Sequence, residues 1–184
     1  RYLYRILFLL YAEARPELKI LPSDDRTYEA GYSVDRLREL VARDEQLLEE
    51  EARTGFHLFT SLDVLFDKVN NGHRPHNGHA EDEQPDGPGL RFEPLRSTLF
   101  EPESITLIGR VRDPRGDNGA TLDLRLRNDA LHQVLRLLTM KKGRATGDRG
   151  GFISYRNLGI NQLGAVYEGL MSYQGRIAEE ELCE

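Results

Sequence analysis

The sequence of 184 residues contains a single cysteine, Cys183, and no tryptophan. A lone cysteine excludes a disulfide scaffold and a cysteine-based zinc finger, because both need several cysteines. Proline (8 residues) and glycine (17 residues) are at ordinary levels, which excludes collagen-like and low-complexity chains. No run of about 20 apolar residues is present, so no membrane span is expected. The lone cysteine and the lack of a secretory segment favour a cytoplasmic globular protein.

Charge is unevenly distributed along the chain. The net charge is −6, from 31 acidic and 25 basic residues, but residues 110–149 carry ten basic residues and five aspartates, a net of +5. This positive segment ends around a glycine-rich loop with Lys141, Lys142, Arg144 and Arg149. Such a loop suits a phosphate backbone, so we predict these four as nucleic-acid-binding residues; a solvated loop without a ligand is the alternative.

Hydrophobic periodicity predicts a mainly α fold, irregular in arrangement, with long loops and one short β element. Helices are expected over residues 2–15, 33–53, 56–70, 128–141 and 154–173. Ser33 and Asn128 are the predicted N-caps of two of these helices. Leucines alternate with charged residues over 122–127, and this alternation predicts the strand.

Residues 71–89 divide the chain, because they include no large apolar residue and are rich in Gly, Pro and Asn. Such a segment cannot bury a core and is predicted to be a flexible loop. We therefore predict a helical segment over 1–70, the loop, and a second helical segment over 90–184. The chain begins with arginine and its last residues, 178–184, are helix-like without a stop signal, so we expect it to be part of a longer protein.

One cluster in the predicted loop has the chemistry of a metal site. His73, His76 and His79 are spaced by three residues, and three acidic residues follow at 81–83. Imidazole and carboxylate are good ligands for transition metals. A catalytic metal site needs its ligands on rigid elements with supporting hydrogen bonds. A loop rich in Gly, Pro and Asn is not expected to provide them. We therefore predict no specific metal site, and a metal-dependent enzyme built on the three histidines stays open as an alternative.

Glycine recurs every five residues in the last predicted helix, at Gly159, Gly164 and Gly169. Each glycine costs a helix about 1 kcal/mol relative to alanine. We predict that this helix packs closely against another domain; breaks in the helix are the alternative. The sequence has no G-x-S-x-G element and no phosphate-binding loop, so it supplies no motif for a nucleophile or a nucleotide.

Three segments carry a resemblance to a known family. Residues 4–15 read YRILFLLYAEAR, residues 99–102 read LFEP, and residues 151–171 read GFISYRNLGINQLGAVYEGLM. Together, and in this order, they resemble the N-terminal helical region of large, class I, adenine-specific DNA methyltransferases. These enzymes belong to restriction–modification and phage-defence systems, including BREX and DISARM. The most specific part is the L-G-x-x-Y-E-G-L element at 163–170, which precedes the catalytic domain in that family.

The resemblance implies an activity for the parent protein and not for this chain alone. Family members transfer a methyl group from S-adenosylmethionine to the N6 amine of a flipped adenine, held at an [ND]-P-P-[YF] motif. This sequence has no such motif and no glycine-rich strand end for the cofactor, so no catalytic, cofactor-binding or metal residue is carried over. The implied partners are the protein's own catalytic domain, DNA and subunits of a defence system, with no membrane. A protein-interaction module that makes no DNA contact is the alternative.

Overall fold

The computed structural model describes residues 1–43, 49–75, 89–113, 119–141 and 151–173. These residues form α-helices and one small antiparallel sheet, so the predicted mainly α fold with a short β element is confirmed. The elements are α1 (Tyr2–Glu13), α2 (Arg26–Gly31), α3 (Val34–Arg43), α4 (Glu50–Thr54), α5 (His57–Asn71), β1 (Arg110–Arg112), β2 (Thr121–Asp123), α6 (Asn128–Thr139) and α7 (Ile160–Met171).

The apolar helix α1 lies at the centre of the core. It ends before Pro16, as predicted, and eight of its 12 residues are buried. The buried core contains residues from both sides of 76–88, including Phe66 of α5, Phe100, and Leu131 of α6. Within the described ranges, no helix is long and apolar enough to cross a membrane.

The helix predicted over 33–53 is wrong as a single element. Ser33 does cap α3, since its hydroxyl accepts a hydrogen bond from the Arg36 amide at 3.3 Å. The chain is extended at Glu49 (φ −83°, ψ 135°), so α4 is a separate helix. Residues 44–48 of that predicted helix lie outside the described residues. The short helix α2 escaped the periodicity analysis because six residues show less than two turns of pattern.

Asn128 does not cap its own helix, contrary to the prediction. Its Oδ1 atom accepts a hydrogen bond from the Leu58 amide at 3.0 Å, at the start of α5. Its Nδ2 atom donates to the Ala52 carbonyl at 2.7 Å, in α4. Asn128 is fully buried and therefore joins α4 and α5 to α6. A cap supplied from a distant position satisfies the same unpaired amide that a local cap would satisfy.

Residues 89–109, which precede β1, form no α-helix or strand, and aromatic residues anchor them. Phe92 pairs with His73 through two backbone hydrogen bonds and is buried, as is Phe100. Gly72 turns the chain at the end of α5 with φ +79°. A Cβ atom there would lie 3.0 Å from the Phe92 carbonyl oxygen, so both conformation and space require glycine.

The last helix begins later than predicted. Residues 154–159 are not helical, and α7 starts only at Ile160. Tyr155 is instead buried, with its hydroxyl donating to the Leu138 carbonyl of α6. Gln162 accepts a hydrogen bond from the Gly159 amide at 2.9 Å and fixes the first turn of α7. The strand prediction was also too long, because only residues 121–123 pair, with Arg110–Arg112.

Candidate nucleic-acid and docking surfaces

Only Lys141 of the four predicted DNA-binding residues lies in the described part of the chain. It is exposed and follows α6, and its amide donates to the Gly151 carbonyl at 2.7 Å. Met140 and Phe152 form an antiparallel bridge beside it, so the two ends of the predicted basic loop meet. Lys142, Arg144 and Arg149 lie outside the described residues.

The structure adds a second basic surface that the sequence analysis did not single out. We call it the arginine surface; it consists of Arg110, Arg112, Arg125 and Arg127. Residues two apart on a strand share a face, which places Arg110 and Arg112 on the same side of β1. The regular spacing of these arginines was the signal available in the sequence, but their convergence depends on the pairing of β1 with β2.

An aspartate neutralises part of this surface. Asp123 accepts two hydrogen bonds from Arg125, at 2.8 and 2.7 Å, and lies 3.9 Å from Arg110 Nε. The hydrogen bonds from Arg125 lower the pKa of Asp123 to about 2. Arg112 has no ion pair with any residue in the described ranges and is the most available cation of the arginine surface.

The ring of Phe56 packs against the guanidinium groups of two of these arginines. The Arg125 guanidinium lies 4.1 Å from the Phe56 ring centroid, and that of Arg127 lies 5.7 Å from it. Stacking on a ring leaves the edge of a guanidinium free to donate hydrogen bonds, but Asp123 already accepts from this edge of Arg125. Arg127 is exposed and is therefore the arginine that Phe56 can orient toward an anion.

The described residues leave several apolar side chains exposed on α7 and just after it. We call them the α7 face; it consists of Ile160, Val166 and Tyr167 of α7 and Tyr173 beyond its end. Ile160 is 68% exposed and Tyr173 is 82% exposed. Leu163 is the buried residue of α7, and Leu170 and Met171 are half-buried. At Gly164 and Gly169 an added Cβ would meet no described atom within 4 Å. The close packing predicted for these glycines is not made by the described part of the chain.

The start of α7 is nevertheless held in place. Arg15 donates hydrogen bonds to the Arg156 and Leu158 carbonyls, at 3.0 and 2.9 Å. The rings of Tyr4 and Tyr167 lie 4.6 Å apart. These contacts fix the direction in which α7 leaves the core.

A cleft of about 480 Å³, which we call the Glu13 cleft, opens between α1, α2 and α3. Glu13 Oε2 accepts the amides of Val34 and Asp35, at 2.9 and 3.1 Å, and so caps α3. Burial is the largest influence on Glu13 and raises its pKa, while the hydrogen bonds from Ser33 and the α3 amides oppose that rise.

We predict that Glu13→Gln changes the pH dependence of stability. The folded-state pKa of Glu13 is raised, so its stabilising contribution is full below the unfolded pKa and is lost as the pH rises through the folded value. The free energy of unfolding of the wild type should therefore rise, relative to the glutamine variant, as the pH falls below neutrality. Glu13→Ala should cost about 1–2 kcal/mol at neutral pH by removing the cap. Urea unfolding across this pH range tests both; an unchanged difference between wild type and glutamine variant contradicts the prediction.

A second cleft, of about 470 Å³, lies between α1, α5 and the hairpin. Arg110 and Arg125 of the arginine surface line it, opposite Asp63. Burial raises the pKa of Asp63, and Arg5 opposes that rise. Side chains of both charges therefore line this cleft, and two of them belong to the arginine surface.

The histidine cluster is only partly described. The His73 backbone pairs with Phe92, while His76, His79 and the acidic residues 81–83 lie outside the described residues. Where the structure describes the chain, no three His, Cys, Asp or Glu residues are grouped so as to hold a metal ion.

The geometry therefore offers two surfaces, one basic and one apolar, and two polar clefts. Comparison with known proteins adds no family to this description: no family model matches the chain, and no curated protein or solved structure is significantly similar to it.

Proposed function

We propose that this chain is the non-catalytic N-terminal helical region of an adenine-specific DNA methyltransferase of a restriction–modification or phage-defence system. In this proposal the α7 face packs on the catalytic domain, and the basic residues face DNA. The observation that carries it is the state of α7. The helix that contains the L-G-x-x-Y-E-G-L element is fixed at its start, and its apolar face is left uncovered by the described residues.

The α7 face has the composition of a docking surface. Exposure of apolar groups to water is unfavourable, and clusters of exposed apolar groups mark interaction sites. Tyr167 and Tyr173 add hydroxyl groups that can hydrogen-bond at the rim of such a contact. Gly164 and Gly169 leave room for a partner's backbone to approach closely. The partner that fits is an apolar surface of the catalytic domain next to α7.

S-adenosylmethionine belongs to the parent protein in this proposal and not to this chain. The family holds the cofactor at a glycine-rich strand end, whereas β1 and β2 are three-residue strands without one. The residues present do not fit the cofactor, so we assign them no step in methyl transfer. Tight binding of S-adenosylmethionine by the isolated chain would contradict the proposal.

DNA binding by this chain is expected to depend steeply on salt. Each phosphate that a cation neutralises adds about −0.9 to the slope of log affinity against log salt. Replacing Lys141, Lys142, Arg144 and Arg149 by glutamine should weaken binding to duplex DNA and make the slope shallower by about 3–4. Fluorescence anisotropy at several salt concentrations measures both quantities.

A second variant separates the arginine surface from the loop. Arg110→Gln with Arg112→Gln should reduce the slope by about 2 if both residues contact phosphates. A matched control is Ile160→Ser with Val166→Ser on the α7 face, which should leave DNA binding unchanged. Equal DNA affinity for wild type and both charge variants would remove DNA contact from the proposal.

The alternative is an interaction module that docks a defence-system partner without touching DNA. Asp123 favours this alternative, because it already pairs with two of the four arginines of the arginine surface. An interaction module should show no salt-dependent DNA binding, yet lose its partner in the Ile160→Ser, Val166→Ser variant. Salt-dependent DNA binding that weakens in the charge variants therefore distinguishes the first function from the second.

A further inference from the structure

The floor of the Glu13 cleft contains polar groups that lack partners. Tyr28 is 1% exposed, and its hydroxyl has no hydrogen bond to a described residue; the Ser23 hydroxyl is also buried without one. Both residues line the cleft. More than nine in ten buried polar groups in proteins have a partner, so two orphan hydroxyls in one cleft indicate that something other than the described residues satisfies them.

Glu13 supplies a third acceptor on the same floor. Its Oε2 atom accepts the Val34 and Asp35 amides, and the Ser33 side chain also donates to the carboxylate. A carboxylate has about four acceptor positions, so these three donors leave capacity for one more. Burial is the largest cause that raises the pKa of the Tyr28 phenol, and the nearby Glu13 carboxylate adds to that rise, but the two groups do not form a hydrogen bond of good geometry. Burial also dominates the pKa of Glu13 and raises it, because a carboxylate that is removed from water without a paired cation is unfavourable.

The rim of the cleft has an excess of negative charge. Glu29, Asp35 and Glu39 line it, against Arg26 and Arg36. Asp35 is paired with Arg38 at 3.0 Å, so Glu13, Glu29 and Glu39 remain to face two guanidinium groups. This smaller excess of negative charge still favours a cationic ligand over an anionic one.

We propose that the Glu13 cleft binds an alkylammonium group. The three N–H donors of an ammonium match three acceptors: the Glu13 carboxylate, the Tyr28 hydroxyl and the Ser23 hydroxyl. The alkyl part leaves through the open side of the cleft, past Ala30. The ammonium belongs either to a free amine or to a lysine side chain of another protein. This site is independent of the DNA-facing and docking roles above, since none of its residues belongs to the arginine surface or to the α7 face.

The test is an NMR titration of the full chain that follows the amides of Val34 and Asp35. Butylammonium should bind in a saturable manner, and tetramethylammonium should bind at least about tenfold more weakly, because it has the same charge and no N–H donor. Spermidine and N-acetyl-lysine amide, titrated in parallel, show which of the two sources fits better.

Substitutions test which groups accept hydrogen bonds from the ammonium. Tyr28→Phe keeps the ring against Phe92, 5.8 Å away between centroids, and removes only the hydroxyl. We expect Tyr28→Phe and Ser23→Ala each to weaken butylammonium binding about three- to tenfold, and Glu13→Gln to weaken it more than tenfold. Glu29→Gln on the rim is the matched control and should weaken it less than threefold.

Three results would overturn the proposal. Equal binding of tetramethylammonium would show that only diffuse charge attracts amines to this region. Unchanged affinity in Tyr28→Phe and Ser23→Ala would remove the orphan hydroxyls from the site. An absence of saturable shifts in the wild type would mean that water alone satisfies them. The comparison of butylammonium with tetramethylammonium uses the wild type alone. It therefore tests the proposal even if a substitution prevents folding.

Discussion

Replacing Arg5 by alanine should lower the free energy of unfolding by about 4 kcal/mol. Arg5 is 3% exposed, and its Nε atom donates to the Leu99 carbonyl at 2.7 Å. Its Nη2 atom donates to the Glu101 carbonyl and the Ser104 hydroxyl, at 2.6 and 2.9 Å. These bonds hold the irregular segment after α5 against α1. Without the guanidinium the three acceptors lose a charged donor; the Leu99 and Glu101 carbonyls then keep only the Ser104 hydroxyl and the Ser104 amide as donors among the described residues.

Arg5 also packs between aromatic rings, and this adds to the expected loss. Its guanidinium carbon lies 5.3 Å from the Phe66 centroid and 5.7 Å from that of Phe100. Arg5→Met is the informative control, because methionine restores apolar volume but none of the hydrogen bonds. It should recover part of the loss, while Arg5→Lys, which cannot reach three acceptors in a planar fork, should remain destabilised. Urea denaturation measures all three; an alanine variant within about 1 kcal/mol of wild type would contradict this account.

The second largest effect is expected from Asn128→Ala, which should lower the free energy of unfolding by about 2–3 kcal/mol. The substitution leaves the Leu58 amide at the start of α5 unpaired in a buried place and removes the donor to the Ala52 carbonyl. It also removes a contact with His57 Nδ1, 2.6 Å from Asn128 Nδ2. Because Asn128 joins three helices, the loss should appear as lower cooperativity in thermal unfolding as well as a lower midpoint.

The neighbouring Asp129 provides the matched control. It lies in the first turn of α6, and its side chain bonds only to the amide of the next residue, Ala130. Asp129→Ala should therefore cost no more than about 0.5 kcal/mol, the value of a charge near a helix dipole. Equal losses at the two positions would mean that Asn128 acts as a local cap after all.

Sequence periodicity predicted the elements whose signal is local. Helices α1 and α5 show their apolar residues within a few turns and stop at Pro16 and Gly72, so their limits were predicted to within about two residues. Residues 90–107 show no such periodicity, and they form no α-helix or strand. The gap between α3 and α4 and the late start of α7 could not be seen, because the residues around Glu49 and Tyr155 do not break the helical pattern.

For the candidate sites, too, the sequence showed some features and only the structure showed the others. The sequence located positive charge in residues 110–149, which is a property of composition. It could not show that Asp123 neutralises Arg125, or that Phe56 supports two arginines from a position about 70 residues earlier. The Glu13 cleft was also invisible, because its floor combines Glu13, Ser23 and Tyr28 from separate elements, none of them within a motif.

By itself, the sequence determined a mainly helical chain with an apolar first helix, a basic stretch after residue 109 and no motif for catalysis within it. Tertiary structure alone decided which polar groups meet: Asn128 with the start of α5, Arg5 with the segment after it, and Glu13 with the start of α3. The physical reason is the range of each signal. Periodicity and turn residues act over a few positions, whereas a buried polar group takes whichever partner the packed core brings within about 3 Å.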